Sequence, residues 1–162
     1  SHRSGDMLNL ASHSSAGLAP APLGGAEVWE LARELARAVD ELEQRQAQAC
    51  DLRLPLFRLL GLTVAAGPEG VVVSQAGQSL GLRPQALNRP AGELEAQGLL
   101  RREVDPADGR ARRLRATPAG AARLEPGRRL EGDLLARIAQ AIPQAAVARL
   151  VLQRLVEAAT KA

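Results

Sequence analysis

The sequence predicts a mainly α-helical protein carrying one small β-hairpin, an α+β arrangement, and three observations lead there. Among 162 residues Ala occurs 31 times and Leu 27 times, while Val and Ile together occur 12 times, a balance that favours helix over sheet. Apolar residues recur at spacings of three and four through most of the chain beyond residue 26, the period of a helix with one buried face. One stretch breaks that period: "LLRREV" and "ARRLRA" alternate on either side of "DPADGR", whose Asp, Pro and Gly suit a tight turn.

Taken in order, residues 1 to 25 hold little besides Ser, Ala, Gly, Pro and His with scattered leucines, and are expected to lack regular structure. "SHRSGD" before Met7, the only methionine, is compatible with an expression scar ahead of a native start at Met7 and is set aside from the fold. From Ala26 to about Cys50, Val28, Leu31, Leu35, Ala38 and Leu42 mark a long amphipathic helix. Its narrow seam suits a partner chain as well as it suits the protein's own core. A second helix is expected from Leu54, with Pro55 at its first position, through Leu56, Phe57, Leu59 and Leu60 to the Gly67-Pro68 break. Gly61 within it weakens it by about 1 kcal/mol relative to alanine.

"GVVVS" from Gly70 is a very short β-branched run, after which Ser74 is expected to cap a helix ending by Gly81. The next helix carries Leu87 and Leu94, stops at Gly98 and runs into the hairpin. Thr117 as N-cap and Pro118 behind it then open a helix through Leu124, Leu130, Leu134, Leu135 and Ile138 to Ile142, which Pro126 must kink. Pro143 restarts a final helix through Val147, Leu150, Val151, Leu155 and Val156. The implied organisation is an irregular segment 1–25, an N-terminal helix region 26–53, a compact lobe 54–116 and C-terminal helices 117–162.

Composition also excludes functions. Trp29 and Phe57 are the only aromatics, so no platform for stacking single-stranded bases exists. Cys50 is the only cysteine, and His2 and His13 both fall in the irregular start. No disulfide and no metal-ligand set is therefore expected. No Cys-His or Ser-His-Asp set, clustered carboxylates or phosphate-cradling glycine loop appears, so neither an enzyme nor a cofactor is expected. No apolar run approaches the about 18 residues of a membrane span, and the start lacks a secretory signal's apolar stretch, so the expectation is a cytoplasmic protein.

Charge is segregated. Residues 27 to 51 hold seven acids against three arginines, whereas residues 99 to 129 hold nine arginines against four acids. The basic half has a candidate anionic partner; the alternative is a solvated face in a chain that uses Arg over Lys twenty to one. Short helix, turn, second helix and arginine-rich ribbon is the order of a winged helix-turn-helix. That order suits duplex DNA: a helix fits the major groove, and an extended hairpin reaches phosphates or the minor groove beside it.

The stretch from Ser79 to Glu125 resembles the MarR family of bacterial transcriptional regulators. Its most specific parts are "LEAQGLLRRE", similar to the end of the family's recognition helix entering the wing, and "DPADGRARRLRATPAG", similar to the wing and the start of the next helix. The resemblance implies a homodimer formed by the N- and C-terminal helices, two winged lobes on a pseudo-palindromic double-stranded operator, and, as in many members, repression released by a small molecule or an oxidant. It gives Asp108 and Arg110 the family's Asp-x-Arg in the wing, with Gly109 allowing the turn; on the residues alone they are more often an ordinary turn with an incidental ion pair. Arg89 matches a recurrent recognition-helix arginine, and Arg83, Gln85 and Asn88 occupy the half that would face base edges, where Arg suits guanine and Gln or Asn suits adenine. Arg112 and Arg113 alternate on the wing strand, so one should face phosphate and the other solvent or protein.

Three residues depart from the family's pattern. Pro90 stands where an apolar helix-core residue is usual; inside a helix it should kink or break the recognition helix and bias Arg89 away from helical angles. Gly92 replaces a polar or acidic residue, and Gly77 a better helix former. Two functions follow: a DNA-binding regulator, or a winged-helix dimer whose DNA reading is weakened and which binds protein or ligand instead. The family's effector pocket would lie near Trp29, Arg53, Leu56, Phe57 and Arg58 and suit a small anionic or aromatic effector, Trp29 and Phe57 being otherwise simply core. Cys50 could sense oxidants as in some relatives, but those carry aromatics including Tyr after the cysteine, and this chain has no Tyr.

Overall fold

The computed structural model describes residues 24–142 and 144–161; most of the segment 1–25 expected to be irregular, Pro143 and Ala162 lie outside the described residues. Helix α1 spans Gly25–Ala49, beginning one residue before the expected Ala26. Contacts divide the chain within it, between Arg37 and Ala38. On the amino-terminal unit Trp29, Leu31 and Leu35 are half exposed, the two leucines belonging to the seam anticipated from spacing.

The second unit begins with the rest of α1. Its last turn closes with Leu52 N–H donating to Ala47 O at 2.9 Å and Asp51 N–H to Gln48 O at 3.0 Å. This C-terminal closure needs a left-handed residue, and Asp51 fills that place at φ 52°, where glycine is usual. Helix α2 (Leu54–Ala65) starts as expected, with Pro55 in its first turn. Strand β1 (Val71–Val72) leads into α3 (Val73–Leu80), then a 3₁₀ turn over Pro84–Leu87, α4 (Asn88–Ala96), β2 (Leu100–Val104) and β3 (Arg112–Ala116). The chain continues as α5 (Pro118–Arg123), α6 (Glu125–Ala141) and α7 (Ala145–Thr160).

The sheet is antiparallel in the order β1-β3-β2, with Val71 opposite Leu114, Val72 opposite Arg113, and Leu100 to Val104 opposite Ala116 to Arg112. Leu56, Leu59 and Leu60 of α2, Leu87, Ala91 and Leu94 of the 3₁₀ turn and α4, Leu99 just before β2, and Leu100 and Leu114 of the sheet form one buried core, to which Ala76 and Leu124 add from α3 and the α5–α6 junction. At about 25 cal/mol per Å² of buried apolar surface, these leucines are the main stabilising term. Cys50 belongs to this core at 2% exposure.

Two expectations need correcting here. Ser74 does not cap α3: Val71 and Val72 pair with β3, so the backbone stays extended through Val72, the helix begins at Val73, and Ser74 falls inside its first turn. Pro126 does not merely kink one long helix. The chain divides at Leu124 into α5 and α6, and Pro126 takes its favoured place at the start of α6. Thr117 caps α5 as expected, its Oγ1 accepting from Gly120 N–H at 3.0 Å while donating to Gly98 O at 2.7 Å.

Candidate nucleic-acid interface

The geometry is set by the turn between α3 and the segment 84–96, the 3₁₀ turn plus α4, termed the recognition segment after its expected role. Gly81, at φ 65°, reverses the chain, with Gly81 N–H donating to Gln78 O at 3.3 Å and Leu82 N–H to Gly77 O at 2.8 Å. The reversal brings Leu82 O so close to α3 that a Cβ on Gly77 would lie 2.7 Å from it, a distance side chains do not tolerate. Gly77, read from sequence as a loss of helix propensity, is what lets the two helices meet this tightly. Gly92 has no such constraint; a Cβ there would meet only the end of the Arg102 side chain at 3.8 Å.

Beyond the turn the helical backbone is continuous but changes pitch. Pro84–Leu87 is 3₁₀, Leu87 and Asn88 keep right-handed helical angles, and α4 runs from Asn88. Pro90 is therefore the third residue of α4, within the first turn, where few N–H groups have an intrahelical acceptor. It neither kinks nor breaks α4, and Arg89 before it is helical, contrary to the expectation from sequence. Tightening the preceding turn to 3₁₀ is how the chain accommodates both Pro84 and Pro90.

Arg83, Gln85, Asn88 and Arg89 are all exposed. Asn88 looks across a cleft of about 400 Å³, also lined by Val73, Ser74, Pro84, Arg102, Arg110 and Arg112. The recognition segment and the wing thus line one cleft, to which Arg102, Arg110 and Arg112 contribute.

The wing tip is held by two aspartates. Asp108 Oδ1 accepts from Arg110 N–H at 3.0 Å, and Asp105 and Ala111 pair through their backbones, Asp105 N–H donating to Ala111 O at 3.0 Å. Asp105, which sequence reasoning did not single out, is buried; its Oδ1 accepts from Ala107 N–H at 3.2 Å and from Arg113 Nε and Nη2 at 3.4 and 3.3 Å. Arg113 also donates to Glu69 O at 2.8 Å. Of the alternating pair, Arg113 is therefore the residue turned to protein and Arg112 the exposed one. The signal for Asp105 was an acid immediately before the turn proline, eight residues from an arginine on the returning strand.

Charge pairing sorts the remaining arginines. Arg102 binds Glu95 through its backbone and side chain, and that side-chain hydrogen bond is the main reason the Glu95 carboxyl sits below the usual carboxylate range. Arg115 faces Glu103 at 2.8 Å off the line of its Nε–H, so charge rather than a directed bond joins them, and it also donates to Pro68 O. Among the described residues, Arg83, Arg110 and Arg112 have no carboxylate within ion-pair range. Their full charge is presented to solvent.

Each of the effector residues expected from sequence has its own surroundings. Trp29 is half exposed on the amino-terminal unit. Arg53 is bound to Glu93, and Arg58 to Glu43 and Asp40. Phe57 packs partly buried against the core and lines a cleft of about 560 Å³ with Arg58, Gly61 and Leu80. Leu56 is wholly core. Burial raises the pKa of the Cys50 thiol, only partly offset by its contact with the Gly127 backbone and by Arg123.

Helix, tight turn, recognition segment and three-stranded sheet with an arginine wing define a winged helix-turn-helix protein. Residues 51–111 match the sequence model of the MarR family. Solved structures agree along most of the chain: a MarR-family transcriptional regulator from Silicibacter pomeroyi is 25% identical, with 80% of this chain and 86% of that one covered and a TM-score of 0.65. One from Rhodococcus sp. RHA1 is 22% identical over 83% and 96% of the two chains, TM-score 0.65. The M. tuberculosis regulator MOSR, solved in complex with DNA, is 21% identical over 82% and 96%, TM-score 0.58. A search of curated protein sequences returned no match. The match over residues 51–111 and the shared fold make this winged-helix chain similar to the MarR-family regulators.

Proposed function

We propose that the protein is a transcriptional regulator that binds double-stranded DNA as a homodimer, with the recognition segment in the major groove and the wing beside it. The observation carrying this reading is the cleft that Asn88, Arg110 and Arg112 line together, with no carboxylate among the described residues paired to either arginine. In this reading Arg83, Gln85, Asn88 and Arg89 approach base edges, Arg110 and Arg112 approach phosphate or minor groove, and Asp108 shapes the tip. Arg113 supports the wing from inside.

The homodimer is proposed from the apolar residues exposed on the helices flanking the lobe: Leu31 and Leu35 on α1, Leu135 and Ile138 on α6, Leu150, Val151 and Val156 on α7. Exposed apolar surface on this scale suits a second copy of the chain, and two lobes related by a two-fold axis suit a pseudo-palindromic operator. Repression and effector release belong to the same proposal, with the effector in the cleft beside Phe57. An aromatic or neutral molecule fits better than an anion there, because Arg53 and Arg58 are already neutralised by carboxylates. The protein would act in the cytoplasm; among the described residues no single helix is long and apolar enough to cross a membrane. The rival reading, weakened DNA recognition with protein or ligand binding instead, rests on Pro90; its place in the first turn of α4 supports retained recognition.

The test is fluorescence anisotropy of the protein with its own upstream intergenic DNA and with an unrelated duplex across a salt series. The upstream DNA should bind tighter by a factor of at least about 10³, with affinity falling steeply as salt rises. Equal, weak binding of both duplexes overturns the proposal.

A further inference from the structure

Glu93 of α4 is shared by two arginines from different elements. Arg53, the extended residue just before α2, reaches across the lobe to Glu93 Oε2. Arg89, one helical turn earlier on α4, donates from Nε to Oε1 at 3.2 Å. The Arg53 hydrogen bond is the largest influence holding the Glu93 carboxyl below the usual carboxylate range, with Arg89 a lesser one. Arg89 itself is 88% exposed, on the segment read above as facing DNA.

This sharing has a consequence for binding. To extend toward a base or phosphate, Arg89 must release Glu93, and the release uncovers a negative charge beneath an arriving polyanion. A carboxylate bonded to Arg89 alone would resist that transfer twice, by holding Arg89 and by repelling phosphate. Arg53 removes both obstacles, since it satisfies Glu93 whether or not Arg89 is present. We infer that Arg53 is a positioning residue for DNA reading: it holds Glu93 so that Arg89 can pass from the carboxylate to DNA. Arg53 acts through Glu93 and does not touch the nucleic acid. The inference rests on the DNA-binding reading above.

A double-mutant cycle read by anisotropy on the upstream duplex tests it. Arg53→Ala should weaken binding about three- to fivefold, the scale of an exposed charge pair. Glu93→Gln should bind at least as tightly as the parent, and adding Arg53→Ala to it should change nothing further. If Arg53 contacts phosphate directly, its loss weakens binding equally in both backgrounds and reduces the salt slope by about one; that outcome overturns the inference. A lowered melting temperature with unchanged affinity of the folded protein overturns it too, by showing a purely structural role.

A readout without DNA separates the inference from the reading beneath it. In a carboxyl ¹³C NMR titration, Glu93 should titrate below the usual range in the parent, move up in Arg53→Ala, and move up less in Arg89→Ala. An unchanged Glu93 titration in Arg53→Ala overturns the role of Arg53 alone. A parent protein that binds neither duplex overturns the DNA reading and this role together.

Discussion

Replacing Arg113 with alanine should cost the protein fold stability rather than simply remove a DNA contact. Arg113 donates twice to Asp105 Oδ1, at 3.4 and 3.3 Å, and once to Glu69 O at 2.8 Å, tying the wing to the loop before β1. The Asp105 side chain is only 8% exposed, so the substitution leaves a buried carboxylate whose remaining donor to that oxygen is Ala107 N–H. Breaking a fully buried pair costs about 3–5 kcal/mol. Arg113 keeps 20% exposure and water would reach the vacated space, which lowers the figure, while the lost bond to Glu69 raises it. A net loss of about 2–4 kcal/mol follows, or a fall in melting temperature of roughly 5–15 °C for a chain of this length. Thermal and denaturant unfolding followed by circular dichroism measure it. Arg112→Ala, which breaks no ion pair, is the control and should stay within about 0.5 kcal/mol of the parent. Equal melting temperatures for Arg113→Ala and the parent, or equal losses at Arg112 and Arg113, would refute the reasoning. Adding Asp105→Asn to Arg113→Ala should recover part of the loss.

Three further outcomes follow from the same coordinates. Gly77→Ala gains about 1 kcal/mol of helix propensity but forces a Cβ to 2.7 Å from Leu82 O, so net destabilisation of about 1–2 kcal/mol with weakened DNA binding is expected in unfolding and anisotropy assays. Asp51→Gly relieves a left-handed non-glycine residue and should stabilise by about 0.5–1 kcal/mol in denaturant unfolding, whereas a loss would mean that the Asp51 side chain matters in its own right. Cys50 should react with a thiol reagent only as fast as the core opens. Since its pKa is raised in the folded state, its contribution to stability is present below the ordinary thiol pKa and is lost as pH rises from there through the raised value; rapid alkylation of the native protein at neutral pH would contradict both statements.

Much of the architecture was legible because punctuation residues carried it. Pro55, Gly81, Gly98, Thr117 and Pro118 mark element ends by local backbone chemistry, and all stand at or beside the boundaries found. What failed depended on partners distant in sequence. Ser74 was misread because β1 pairs with a strand about forty residues later, which holds Val72 extended. Gly77 looked like a weakness because nothing local reveals that Leu82 O presses on it. Pro90 was judged against an α-helix assumed to start earlier, whereas the 3₁₀ turn moves the start of α4 to Asn88. In the candidate interface, residue types predicted which side chains face outward, but not that Arg53, Arg58 and Arg113 are already held by carboxylates.

The central place of β3 in the sheet has a consequence for how the wing can vary. β3 is gripped on one side by β1 and on the other by β2, and Arg113 fastens it to the loop before β1. The tip from Pro106 to Arg110 lies outside that frame and is exposed. Insertions or deletions confined to the tip would therefore lengthen or shorten the wing without tilting the recognition segment. On the proposed DNA-bound arrangement, reach along the duplex and the angle of entry into its groove are separately adjustable, so a lineage could retune one while the other stays fixed.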